Sequence, residues 1–408
     1  MKYSSYKFSG ADWLGEIPSD WKVCPLKYIF TIKKRIAGEP GHTVLSITQS
    51  GIKPKDMSGQ GQFAQDYSNY QLVYPGDFAM NHMDLLTGWV DLSKYEGVTS
   101  PDYRVFINND DTTYLSEYYK YIFQYCYSGR VFYGLGQGVS GFGRWRLPAE
   151  MFLNFRLPVP PKSTQETIVQ YLNRKVAHID SVIAEAKASI EEYKAWKASV
   201  IYEAVTKGLD PDVEMKDSGV DIIGSMPAHW NTCRLKYLCD VMTGNQDTQN
   251  ADDNGEYPFY VRSPIVQRAN VYTYEGEGIL MAGDGAGAGR VFHHAFGKYA
   301  IHQRVYCFHN FRNINTAYFL YLISELFKKV MDKGSAQSTV PSVRLPMIQN
   351  FVFCIPSEDE QRQIVAYLNE RCSMIDALIS EKDALIADLE SYKKSLIFEV
   401  VTGKRKVV

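Results

Sequence analysis

Few residues in this chain of 408 have the types and spacing that chemistry needs. Gly136-Gln137-Gly138-Val139-Ser140-Gly141 matches the G-x-G-x-x-G of dinucleotide sites. Such a site needs a strand before it, a helix after it and an acid about 20 residues on. The run that follows, Phe142-Gly143-Arg144-Trp145-Arg146-Leu147-Pro148, does not start a helix. Gly283-Asp284-Gly285-Ala286-Gly287-Ala288-Gly289 lacks the Lys-Ser/Thr with which a P-loop holds phosphate. Its glycines read as a turn, or as backbone brought close to something flat. His293, His294, His302, His309 and Cys307 are near one another but fit no zinc spacing. The Asn-Pro-Pro-aromatic or Asp-Pro-Pro-aromatic loop of amino-methyltransferases is missing, as are His-Glu-x-x-His and Gly-x-Ser-x-Gly. No catalytic constellation, cofactor site or metal site is expected in this chain.

Binding is better served. Lys33, Lys34 and Arg35 follow one another; Arg144, Trp145 and Arg146 interleave cation and aromatic in a Gly-rich segment. Arg290 closes the 283–289 loop, Gln303 and Arg304 follow His302, and Gln337 and Ser338 precede Ser342 and Arg344. Arginine and glutamine read guanine and adenine edges in pairs of hydrogen bonds, while hydroxyls and lysine hold phosphate. Each residue alone reads as an exposed loop position. Together they form two sets, which raises the question of what frame presents them twice.

The frame is an internal repeat. Asp12-Trp13-Leu14-Gly15-Glu16-Ile17-Pro18-Ser19-Asp20-Trp21 recurs as Asp221-Ile222-Ile223-Gly224-Ser225-Met226-Pro227-Ala228-His229-Trp230. Residues 165–206 align without gaps on 361–402, with 18 identities in 42 positions. Both of these segments carry a heptad seam, as in Leu172, Val176, Ile179, Ile183 and Ala186, or Leu368, Cys372, Ile375 and Ile379. Two long helices of about 40 residues, or ~60 Å, are expected. Ser357 and Glu360 form a capping box at the second, and Ser163 with Glu166 offers a looser one at the first. Gly208 and Gly403 stand where helices stop. The polar seam entries Lys197, Lys382 and Lys393 are expected where the pair widens to admit a partner's helices.

The blocks between are mixed. Asp77–Met80, Arg104–Ile107, Gly278–Met281 and Arg304–Phe308 read as strands, while Leu115–Tyr127 and Ala317–Met331 read as helices. The expected fold is α+β, ordered as block 1–162, helix 163–207, an acidic linker 208–229, block 230–356, and helix 357–408 with its tail.

Composition sets the outer bounds. Apolar residues at 45% and charged residues at 22% suit a globular chain. No run of about 18 apolar residues could span a membrane. The N-terminus lacks the apolar stretch of a secretory signal. Seven cysteines without CxxC spacing read as reduced thiols, so a cytoplasmic location is expected. Net charge is −2, but residues 1–162 and 230–356 each carry +2 against −4 in 208–229 and −2 in 357–408. Local basic faces are therefore permitted.

The whole chain resembles the specificity subunit of type I restriction–modification enzymes. The resemblance rests on Ile17-Pro18-Ser19-Asp20-Trp21 and Met226-Pro227-Ala228-His229-Trp230. It extends over Val340–Pro346, the run Ile355–Leu368 and Thr402-Gly403-Lys404-Arg405-Lys406. The first copy departs from it with Thr164-Gln165 where the second has Glu360-Gln361. The resemblance implies two target-recognition domains, each reading half of a bipartite double-stranded DNA site. They would be held apart by two long antiparallel coiled-coil helices with a pseudo-twofold repeat. It implies a non-catalytic chain in a phage-defence system. Two methyltransferase subunits would dock on the helices and restriction subunits would complete the complex. S-adenosylmethionine, ATP and magnesium would then belong to those partners, with no cofactor and no membrane contact in this chain. Two other readings stay open: an enzyme with a nucleotide at Gly136–Gly141, and a coiled-coil scaffold whose two heads bind something other than DNA.

Helix length would then set the spacing of the half-sites. Inserting four residues near Ala186 adds about 6 Å of helix. The preferred spacer should lengthen by about one or two base pairs with both half-sites unchanged, as read from selection on randomised duplexes. A change of half-site bases at constant spacer would show that the helices are not the ruler.

Overall fold

A computed structural model describes residues 2–56, 66–138, 145–334 and 342–407, with the side chains of 333 and 334 left aside. The chain forms two compact units: Met1–Ala186 with Ala384–Val408, and Lys187–Asp383. The long helices are Lys162–Lys207 and Glu358–Val401. Each begins in one unit and ends in the other.

The same α+β plan recurs in each unit. In the first, four antiparallel strands run in the order Phe30–Lys33, Arg104–Asn108, Phe78–Met80, Val90–Leu92. In the second the order is Asp240–Thr243, Val305–His309, Gly278–Ala282, Phe292–Ala295. A helix covers each sheet, Ser116–Ser128 in one and Thr316–Gly334 in the other. The strand that opens each block pairs with the strand before the long helix: Lys22–Pro25 with Arg156–Val159, and Asn231–Arg234 with Val352–Ile355. The second unit adds a sheet of four short strands that its counterpart lacks among the described residues, with Tyr257–Tyr260 parallel to Lys298–Ile301.

The first core is aromatic: Phe78 stacks on Phe106 at 4.9 Å, and Phe30 and Phe123 meet them edge-on. The 29 tyrosines of the chain find part of their explanation here. A buried tyrosine supplies aromatic bulk and a hydroxyl that reaches a partner. Tyr118 donates to the Val401 carbonyl at 2.7 Å, and Tyr318 to that of Val205 at 3.1 Å. In each unit, the covering helix is thereby bonded to the last turn of a long helix. Tyr121 and Tyr321 donate likewise to Asn173 and Asn369, which match in the repeat.

Within each unit the two long helices run antiparallel. In the first, Asp180 faces Lys393 and Tyr171 meets Arg405; in the second, Lys197 faces Asp376 and Val205 meets Cys354. The seam residues Leu172, Ile179, Ile183, Leu368, Cys372 and Ile375 are buried. Lys197 and Lys393 do not mark gaps. Lys197 donates to Asp376 at 2.7 Å and Lys393 to Asp180 at 2.6 Å, so repeat-related ion pairs bridge the seam where widening was expected.

The capping box forms: the Ser357 N–H donates to Glu360 Oε2 at 3.1 Å, and the Glu360 N–H to Ser357 Oγ at 3.3 Å. At the first helix, Ser163 is not the cap. The helix starts at Lys162, with Pro161 O accepting from the Thr164 and Gln165 N–H groups. The acidic stretch 208–229 is no bare linker either. Met215–Asp217 pairs with Ser225–Pro227, matching the hairpin of Tyr6–Phe8 with Glu16–Pro18. Ile223 and Met226 anchor it in the core while its acids stay in solvent, which is why its composition reads as a linker. Gly208 and Gly403 adopt φ of +77° and +73°. A methyl group at either would lie about 3 Å from Trp230 or Trp21.

Those tryptophans differ in one respect. Trp230 Nε1 donates to Glu360 Oε1 at 3.1 Å, and His229 Nε2 meets the same oxygen at 2.8 Å. Although burial opposes it, these bonds with those of Ser357 hold the Glu360 carboxyl down at about 2. In the first unit Thr164 stands at the matching position, and Trp21 Nε1 is buried with no hydrogen-bond partner among the described residues.

A buried glutamine fixes the start of each long helix. Gln165 Oε1 accepts from the Leu115 N–H at 2.8 Å while its amide donates to Thr113 O and Pro160 O. Gln361 repeats this with the Asn315 N–H, Asn313 O and Pro356 O. Gln165→Ala or Gln361→Ala leaves one donor and two acceptors unpaired in the interior. Each should cost about 2–3 kcal/mol, measured by denaturant unfolding of the full chain. A change below ~0.5 kcal/mol would show that the clamp is dispensable.

Candidate nucleic-acid interface

The antiparallel register brings three segments to one end of each sheet. In the second unit they are the end of Asp240–Thr243, the end of Gly278–Ala282 and the start of Val305–His309. The loop 283–289 leaves from this end, and the Gly283 N–H donates to Arg304 O at 2.8 Å. Asp284 stands on that loop between two guanidinium groups. Arg262 Nη1 donates to its Oδ1 at 2.9 Å, and Arg304 Nε lies 3.7 Å from its Oδ2. Beside them is a cleft of about 420 Å³ bordered by Thr248, Arg262, Gln267 and Asp284. His302 is buried, and its Nδ1 accepts the Arg304 N–H at 3.0 Å. Burial, then the charge of Arg262, lowers its pKa. The neutral ring therefore carries its proton on Nε2, which faces Thr248 Oγ1 at 3.3 Å.

The residues marked from the sequence sort as follows. Gln303 donates to Asp247 at 2.7 Å beside this cleft, and Arg304 is exposed. Arg344 is exposed too, next to Val343, whose N–H donates to Gly283 O at 2.8 Å. These three share the sheet end. Arg290 turns instead to Asp332 at 2.6 Å, near the end of the helix Thr316–Gly334. Gln337 and Ser338 lie outside the described residues. The histidines and Cys307 do not converge: His293 meets Ser263 O, His294 meets Glu277, and among the described residues no three His, Cys, Asp or Glu side chains group as a metal site.

The first unit presents the same sheet end. Lys33 closes its strand, Lys34 is exposed, and Arg35 pairs with Asp77 while lying 4.7 Å over the Tyr74 ring. Arg35 thus braces its own unit. Trp145 is half-buried, its Nε1 donating to Tyr133 O at 2.8 Å, and Arg146 is exposed. Gly136 lies against that indole so closely that a methyl group there would overlap it. The glycine makes room for Trp145, and a 3-10 turn, Tyr133–Leu135, precedes it where a dinucleotide site needs a strand. Arg144 lies outside the described residues.

Register reveals two residues that the sequence does not mark. Arg104 occupies the sheet position of Tyr306, and the two do the same job. Arg104 Nη2 donates to Leu147 O at 3.0 Å, and Tyr306 Oη to Val343 O at 3.1 Å. The identical Arg-Val pairs at 104–105 and 304–305 point to a different match, two residues out of register. Arg104 is buried over Phe152, and burial pushes its pKa down to about 10. His82, whose carbonyl accepts the Leu147 N–H at 2.9 Å, is lowered to about 4 by burial, then by Arg104 and Arg146.

A family model described as the type I restriction modification DNA specificity domain matches residues 18–192 and 227–386. The EcoDI type I restriction enzyme specificity subunit of Escherichia coli is 25% identical over 181 residues, 44% of this chain and 40% of that protein. The MjaVIII specificity subunit of Methanocaldococcus jannaschii is 23% identical over 292 residues, 66% of each chain. The matches thus span less than two thirds of the length of both relatives. A solved structure from a study of complex assembly and conformational transition in the type I R-M system superposes with a TM-score of 0.71. It has 15% identity and covers 94% of this chain and 98% of its own. At that identity the likeness is one of fold.

The neutral His82 carries a pH signature. Its folded pKa lies below its unfolded value of about 6.5, so its contribution is complete above pH ~6.5 and is lost as pH falls towards 4. Thermal melting of the full chain should fall over that window, and His82→Asn should flatten the fall. A slope that persists in His82→Asn would assign it to another group.

Proposed function

The chain belongs to the type I restriction modification DNA specificity family, and we propose that it is the non-catalytic specificity subunit of such a system. Each unit would read one half of a bipartite double-stranded DNA site. What supports this is the repeated sheet end, built by the same backbone bonds in both units, 147 to 82 and 343 to 283, yet carrying different loop side chains. Two scaffolds alike in frame and unlike in loops suit two half-sites of different sequence.

The proposed contacts are Lys33, Lys34, Trp145 and Arg146 in the first unit with Gln303, Arg304 and Arg344 in the second. Arg35 and Arg290 are already engaged in ion pairs and take supporting places. Arg144, Gln337 and Ser338 remain proposed contacts on the adjoining loops. Methyltransferase subunits would dock along the long helices, where Met374, Leu378 and Leu385 leave apolar surface exposed. Restriction subunits would join them. S-adenosylmethionine, ATP and magnesium would be held by those partners. A cytoplasmic site of action agrees with seven unpaired cysteines; among the described residues, no helix is long and apolar enough to cross a membrane.

Binding of the full chain to randomised duplexes tests this. Selection should yield a bipartite motif, and affinity should fall with salt as counterions are released. Arg146→Ala, Arg304→Ala and Arg344→Ala should each cost about 1–3 kcal/mol at one base position if they read bases. Where they hold phosphate they should reduce the salt slope by about 1. With labelled S-adenosylmethionine the chain alone should transfer no methyl group. Salt-insensitive binding without base preference would favour a scaffold with other ligands.

A further inference from the structure

We infer that Asp284 is a positioning residue that aims Arg304 at a guanine in the half-site of the second unit, an assignment that rests on the DNA-reading function proposed above. Arg304 is held at three points. Its N–H is fixed by His302 Nδ1 and its carbonyl by the Gly283 N–H. Its Nε lies 3.7 Å from Asp284 Oδ2, an ion pair rather than a hydrogen bond, while the side chain as a whole is 64% exposed. Contact through Nε leaves the outer pair of N–H groups directed away from the carboxylate. Guanine offers O6 and N7 side by side in the major groove, and that pair of acceptors matches the outer fork of an arginine.

Other arginines near this sheet end are held differently. Arg290 pairs with Asp332 through Nη2, and Arg262 with Asp284 through Nη1. Each spends part of the outer fork on its own carboxylate. Arg262 has a second effect: by binding Oδ1 it keeps the Asp284 carboxylate in place, so that Oδ2 remains turned to Arg304. A long side chain restrained before binding loses less freedom on binding, which sharpens discrimination.

The charge of the group also chooses between ligands. A phosphate at Arg304 would approach a carboxylate that is 24% exposed, and the repulsion would offset part of the attraction. The acceptors of a guanine edge carry no net charge and meet no such opposition. The adjoining cleft, with the Gln267 side chain on its wall and that residue's Oε1 buried without a partner among the described residues, gives room for the neighbouring nucleotide.

The test uses the full chain, a duplex library randomised across both half-sites, and sequencing of the bound fraction. Wild type should prefer guanine at one position by about 10-fold or more. Arg304→Lys keeps the charge but removes the fork, so it should lose that preference and retain affinity for unrelated duplex. Asp284→Asn should weaken the same preference by about 10-fold, leave other positions unchanged, and hold or raise affinity for unrelated duplex because one negative charge is gone. An unchanged guanine preference in Asp284→Asn, or an equal loss at every position, would overturn the assignment. If Asp284→Asn fails to fold, Arg304→Lys at its exposed site decides: retained preference overturns the proposal. Absence of any base preference in wild type would instead overturn the DNA-reading function and this assignment with it.

Discussion

The buried amides of Gln165 and Gln361 fix where each long helix begins, and the rest of each unit is built outward from that point. One side chain satisfies an N–H and two carbonyls from two separate segments. No apolar residue could hold those backbone groups away from water without leaving them unpaired. Once the helix start is fixed against the loop before the covering helix, Tyr118 and Tyr318 reach the last-turn carbonyls of Val401 and Val205. The covering helix is thereby tied to two long helices at once, the start of one and the end of the other.

This rigid frame lets the loops differ. The bond between residues 147 and 82 recurs between 343 and 283, and the donor above it is an arginine in one unit and a tyrosine in the other. A guanidinium and a phenol of different length meet the same backbone carbonyl because the sheet register fixes that carbonyl's place. Side chains beyond it then vary without disturbing the core.

The periodic and punctuated parts of this architecture were legible in the sequence. The heptad seams, the Ser357–Glu360 box, the stop glycines and the main strands follow from spacing and composition alone. The resemblance carried by the Pro-x-x-Trp openings identified the family. The misses have physical causes. Residues 208–229 read as a linker because a few apolar side chains, Ile223 and Met226 with the partly buried Val220 and Ile222, suffice to dock a hairpin. Ser163 resembles a cap, yet the cap position lies two residues earlier, at Pro161. Lys197 and Lys393 look like flaws in a seam until the carboxylates at 376 and 180 are seen opposite them. At the site, exposed arginines could be named but not sorted. Whether Arg290 or Arg304 has its guanidinium engaged depends on Asp332 and Asp284, which only the folded chain brings near. Arg104 gave no sign, since a buried arginine and an exposed one look alike at the start of a short strand.

The division of the chain also sets an order of assembly during synthesis. Residues 187–383 are contiguous, so the second unit holds all its parts once residue 383 has cleared the ribosome. The first unit does not. Val401 receives the Tyr118 hydroxyl, Gly403 rests on Trp21, and Lys404 reaches the carbonyls of Leu14 and Glu16. Its earliest residues therefore lack these contacts until the segment 401–404 has been made. The part made first thus takes its final contacts from residues made nearly 400 positions later, and the cover that Gly403 gives Trp21 is among the last to arrive.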